Sequence, residues 1–172
     1  LYLGAAVDTE TNGVPSADAR GDDLATVGGT NDEDGVVQRG VWLAGATGGL
    51  VRVEVGKGSG WLVGFIDFNN NSNMMDAGEM VISRAVSTNG GGVTTNEITV
   101  PSGAINSTNV TTLYARFRLF PSEPSFPAFS YSGLADNGEV EDYLWYFGIL
   151  GDYIWKDVNA DGNQDVGEPP LA

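Results

Sequence analysis

Histidine and cysteine are both missing from the 172-residue sequence. The absence of cysteine removes disulfides and thiolate nucleophiles. The absence of histidine removes Ser-His-Asp and Cys-His catalysis, and with both gone the usual zinc sites cannot be built. Basic residues are scarce: eight Lys and Arg face 23 Asp and Glu, for a formal net charge of −15. Lys57 and Lys156 are the only lysines. Such acidity repels phosphate backbones and anionic membrane surfaces, so no nucleic-acid partner is expected. No apolar run reaches the ~18 residues of a membrane span, so no membrane insertion is expected either. The chain opens Leu1-Tyr2-Leu3, with no Met and no charged leader, which reads as a processed or trimmed end.

Hydrophobic residues make up 41%, enough for a sizeable core, and 25 glycines imply many turns. Helical periodicity is hard to find, whereas alternation recurs. In residues 110–119, Leu113, Ala115, Phe117 and Leu119 fall on one face, and Thr112, Tyr114, Arg116 and Arg118 on the other. That pattern predicts a half-buried strand. Residues 50–55 alternate in the same way, with Val51, Val53 and Val55 opposite Arg52 and Glu54. Residues 61–68, 80–86, 93–100 and 140–147 read as further strands, separated by Gly and Asn clusters such as Gly56 to Gly60 and Asn69 to Asn73. The expectation is an all-β, antiparallel β-sandwich of jelly-roll or immunoglobulin-like type with long acidic loops. Residues 8–36 read as a polar, acidic loop ordered by cations. Gly148 to Gly151 marks a boundary between a main domain at 1–147 and a short segment at 148–172.

Acidic loops carry the clearest chemistry. Without His or Cys, a bound metal must be a hard cation held by oxygen, calcium before magnesium. Residues 157–168 fit the twelve-residue calcium-loop pattern, with Asp157, Asn159, Asp161, Asn163, Asp165 and Glu168 as candidate ligands and Gly162 at the sharp turn. The flanks, Tyr153-Ile154-Trp155 and Pro169-Pro170, are not helical, so no EF-hand pair is expected. A weaker relative comprises Asp67, Asn69, Asn71 and Glu79; Ser72 replaces the glycine, Glu79 lies one residue too far, and Asp76 is a possible substitute. Asp32 and Asp34, and Glu139, Glu141 and Asp142, form two further acidic runs. Unpaired, such carboxylates repel one another, and either a cation or Arg116 and Arg118 are the expected counter-charges.

Leu3-Gly4, Asp8-Thr9-Glu10, Gly21-Asp22-Asp23, Asp32-Glu33-Asp34-Gly35-Val36, Phe65-Ile66-Asp67-Phe68-Asn69, Ala115-Arg116-Phe117-Arg118 and Gly138-Glu139-Val140-Glu141-Asp142-Tyr143 occur in the order seen in the GEVED domain. The resemblance covers roughly residues 1–147 and departs from the family at Asn71-Ser72, where Asp-Gly is usual. Residues 151–162 resemble the opening of an SdrD B-like repeat, a calcium-binding β-sandwich of surface adhesins. Together these resemblances imply a β-sandwich module of a secreted or surface-attached bacterial protein.

Three functional readings follow. The first is a calcium-stabilised structural module of an adhesin, sheath or filament, whose partners are copies of itself or neighbouring domains. There, a strand at 150–155 would complete a neighbour's sheet. The second is a carbohydrate-binding or adhesive module using Trp42, Trp61, Trp145 and Trp155, which requires exposed, coplanar rings. The third, a glycoside hydrolase built on carboxylate pairs, is disfavoured because the acids sit in ion-loop patterns; no enzyme activity is expected.

Overall fold

The computed structural model describes residues 2–5, 33–40, 42, 48–56, 58–88, 92–101, 103–105, 112–125, 131–132, 138–146, 156, 158–159 and 168. The described elements are all strands: β1 (Val36–Arg39), β2 (Gly49–Val55), β3 (Gly58–Asp67), β4 (Met80–Thr88), β5 (Gly92–Ile98), β6 (Thr112–Phe120) and β7 (Glu139–Tyr146). They form two antiparallel sheets, β1-β2-β5 and β4-β3-β6-β7. All six strands expected from alternation are present. β1 is an addition, because the reading of residues 8–36 as loop took in Val36, the first residue of this short strand. The glycines at 58–60, expected as a separator, instead open β3. The rest of the long acidic stretch, residues 8–32, lies outside the described residues.

The sandwich closes on a core that both sheets supply. Val51, Val53 and Val55 are fully buried, as the period-2 pattern in β2 requires. They pack in one cluster with Leu62, Ile66, Leu113, Ala115, Phe117 and Leu119 of the larger sheet. Trp42 and Trp145 belong to the same cluster, edge to face with ring centroids 5.8 Å apart. Gly64 of β3 is required there: a Cβ at that position would lie 2.5 Å from Phe117 and 2.6 Å from Ile82. Directly after Gly64 the β3–β4 register shifts, Gly64 pairing with Ile82 and Phe65 with Met80, so Val81 is an extra residue in β4.

The second face of β6 departs from the sequence expectation. Arg116 and Arg118 are 0% and 1% exposed, not solvated. The outer face of the larger sheet carries its own small core of Val63, Phe65, Met74 and Phe120, against which Trp61, Tyr114 and Tyr131 pack. Tyr131 meets Phe65 edge to face at 6.4 Å. β6 is therefore covered on both faces, and alternation there separates two buried environments rather than core from water.

Candidate functional site

The acids of β7 part to opposite faces of the sheet. Register pairs Arg116 with Asp142, Phe117 with Glu141 and Leu119 with Glu139. Cross-strand partners share a face, so Asp142 lies with the arginines while Glu139 and Glu141 point into the space between the sheets. Asp142 takes a two-pronged contact from Arg116, Nε to Oδ1 and Nη2 to Oδ2, both at 2.5 Å. Arg116 Nη1 and Arg118 Nη1 donate to the Tyr131 and Ser132 carbonyls at 2.8 and 3.1 Å, and Arg118 stacks on Phe120 at 5.0 Å. Of the counter-charges expected for this acidic run, an arginine or a cation, Arg116 answers Asp142, and the pleat carries the two glutamates to the other side of the sheet.

There the glutamates hold backbone of the opposing sheet's edge. Glu139 Oε2 accepts from the Leu3 amide. Glu141 Oε1 accepts from the Gly35 amide at 3.1 Å, and Oε2 from the Tyr143 hydroxyl at 3.0 Å. That hydroxyl in turn accepts from the Val36 amide at 2.8 Å. Leu3 bridges Val55 of β2, and the Gly4 amide donates to the Glu54 carbonyl at 2.8 Å. Gly4 is needed for this approach: its φ is +59°, and a Cβ would collide with Asp34. Asp34 Oδ1 accepts from the Ala5 amide at 2.9 Å. Edge strands β1 and β7, from different sheets, are thus laced together by side chains of one motif. Burial, then the neighbouring Glu139 carboxylate, push the Glu141 carboxyl up to about 8, against the hydrogen bonds from Tyr143 and Gly35. Burial and the Glu141 charge also raise Tyr143.

The β3–β4 hairpin carries Asp67, Asn69, Asn71 and Glu79: the Asn71 amide donates to Asp67 and Asn69, and the Phe68 amide to Glu79. Asp67 is buried at the end of β3, its two oxygens accepting from the Asn71 and Ser72 amides at 3.2 and 2.8 Å. Ser72, at the position where the calcium-loop pattern has glycine, has a φ of +67°. Asp76 collects the carboxamides of Asn69, Asn71 and Asn73 at 2.9, 2.8 and 2.8 Å. These bonds, Asn69 first and Asn71 second, hold the Asp76 carboxyl below its ordinary range. Asn73 was missed in the sequence, although the every-second-residue Asn spacing continues to it.

Of the tail ligands only Asn159 and Glu168 are described; Asp157, Asp161, Asn163 and Asp165, like Asp32, lie outside the described residues. Glu168 Oε1 accepts from the Val158 amide at 2.7 Å, which returns the loop's twelfth position to its start. Among the described residues, no three acidic side chains converge closely enough to hold a metal by themselves. Trp42 and Trp145 are buried, which removes two rings from any sugar-stacking platform.

No curated protein and no solved structure matches the chain. A family model does: the GEVED domain, over residues 61–146, the stretch from β3 to β7 that contains the β3–β4 hairpin, the buried arginines and the acids of β7. No helix among the described residues is long and apolar enough to cross a membrane. With half of its 172 residues matched, the chain belongs to the GEVED domain family.

Proposed function

We propose that this chain is a calcium-stabilised structural module of a bacterial extracellular surface protein, secreted or attached to the cell surface, that builds a sheath or filament with copies of itself or with neighbouring domains. The observation that carries this reading is the use made of the family motif. Glu139, Glu141 and Tyr143 are spent on backbone amides of the opposite sheet, and Asp142 on a buried arginine, so the motif works as a fastener rather than as a reactive site. A partial SdrD B-like repeat in the tail, with calcium at 157–168, extends the reading, and a strand at 150–155 added to a neighbour's sheet would be the coupling.

Melting curves, limited proteolysis and electron microscopy of the full chain, in millimolar calcium and in EDTA, test it. Calcium is expected to raise the melting temperature, protect the acidic loops from cleavage and favour linear assemblies. A site filled at 100 times its dissociation constant adds about 2.7 kcal/mol to stability. Identical melting and cleavage in both buffers, with isolated particles throughout, would overturn the proposal.

A further inference from the structure

The β3–β4 hairpin buries two carboxylates with no cationic side chain between them among the described residues. Glu79 is 3% exposed and Asp67 1%. Glu79 Oε1 accepts from the Phe68 amide at 3.1 Å, while Oε2 is buried and has no hydrogen-bond partner. Among the described residues, neither carboxylate forms an ion pair with Lys or Arg. Taking two charges out of water costs several kcal/mol per ion unless something of opposite charge accompanies them. Glu79 faces Asp67 closely enough that the Asp67 charge, after burial itself, raises its carboxyl above the ordinary range. The orphan oxygen therefore points to a missing positive partner at the mouth of the hairpin.

Around the two acids the sequence supplies oxygen and nothing softer. Asn69 and Asn71 follow Asp67 at alternate positions, and each carboxamide oxygen turns toward the loop backbone, accepting from the amide two residues on at 3.0 and 2.8 Å. Their Nδ2 groups donate to Asp76, which anchors the side chains. An all-oxygen set with two full charges suits a hard divalent cation and tolerates the irregular geometry that calcium accepts and magnesium does not. We propose that the hairpin binds one calcium ion between the Asp67 and Glu79 carboxylates, with the carboxamide oxygens of Asn69 and Asn71 completing the protein's share of the shell. This deepens the calcium-stabilised reading above and rests on it. With neutral amides replacing the second and third acids of the usual loop, the site belongs to the weak class of extracellular modules, with a dissociation constant of roughly 10⁻⁴–10⁻³ M.

The test is a calcium chloride titration of the isotope-labelled full chain, stripped with EDTA, followed by amide NMR. Saturable shifts are expected in the backbone amides of residues 68–79 and in the side-chain amides of Asn69 and Asn71. Glu79→Gln and Asp67→Asn should each weaken binding about tenfold or more while keeping a dispersed β-sheet spectrum; if one variant fails to fold, the other decides. Hairpin signals unmoved at about 10 mM calcium, or moving equally in wild type and the folded variants, overturn the site. Shifts confined to residues 157–168 overturn the hairpin site and leave the calcium-stabilised module standing. Shifts nowhere overturn both.

Discussion

Arg116 is fully buried with its guanidinium on Asp142, and its burial commits the protein to keeping that carboxylate beside it. Breaking a buried pair from one side leaves an uncompensated charge, and Asp142→Ala is expected to cost about 3–5 kcal/mol of unfolding free energy. Urea denaturation checks this. The double change Arg116→Met with Asp142→Leu should recover most of the loss, because it removes both charges. A loss under about 1 kcal/mol in Asp142→Ala would mean that water reaches the pair. Glu141 carries a different liability. Its carboxyl titrates at about 8 in the fold, against an ordinary value of 4.5. Below 4.5 folded and unfolded chains are both protonated there, and the group favours neither. Between the two values the unfolded state releases its proton more readily, so this group's contribution falls with rising pH and is at its least favourable above about 8. Thermal melts from pH 4.5 to 8.5, with divalent ions chelated, should therefore show a decline that Glu141→Gln flattens. Parallel pH profiles in the two proteins would argue against the assignment.

Strand β6 illustrates both the reach and the limit of period-2 reasoning. Leu113, Ala115, Phe117 and Leu119 could be assigned to the core from their spacing alone. The burial of Arg116 and Arg118 could not, since it depends on residues 131–132 lying over the far face, a contact that periodicity does not encode. β1 escaped notice because Val36-Val37-Gln38-Arg39 is four residues long with two adjacent valines, too short to show alternation. Its place is set by β2, which pairs it, by Tyr143, which holds its first amide, and by Glu141, which holds the Gly35 amide just before it. The candidate hairpin was legible because Asp67, Asn69, Asn71 and Glu79 are local and their spacing has a physical reason. The acids of β7 were legible as acids, but their partners were not: the Glu139–Leu3 and Glu141–Gly35 contacts join residues 136 and 106 positions apart. At this scale Gly64 is the most exacting position. Gly64→Val would drive new atoms into Phe117 and Ile82, and overpacking of this kind costs about 1–3 kcal/mol. Chemical denaturation should show that loss. A stability equal to wild type would mean that the strands around Gly64 yield more easily than their packing implies.

The chain carries a formal net charge of −15, and its apolar interior is shared between two sheets. Self-repulsion on this scale weakens the compact state. The seal on both faces of β6, with β3 and β7 hydrogen-bonded on either side, has a consequence for solvent exchange. Fraying cannot reach these amides one at a time; they meet deuterium only when the whole sandwich opens. The amides of residues 115–119 are accordingly expected to be the slowest to exchange, and those of β1, a four-residue edge strand, to be among the earliest of the strand amides. If β1 and β6 amides exchanged at similar rates, the lacing between the edges would be as strong as the centre. With the expected order, the β6 amides give a built-in gauge of global opening, on which calcium, pH and each substitution can be read in the same units.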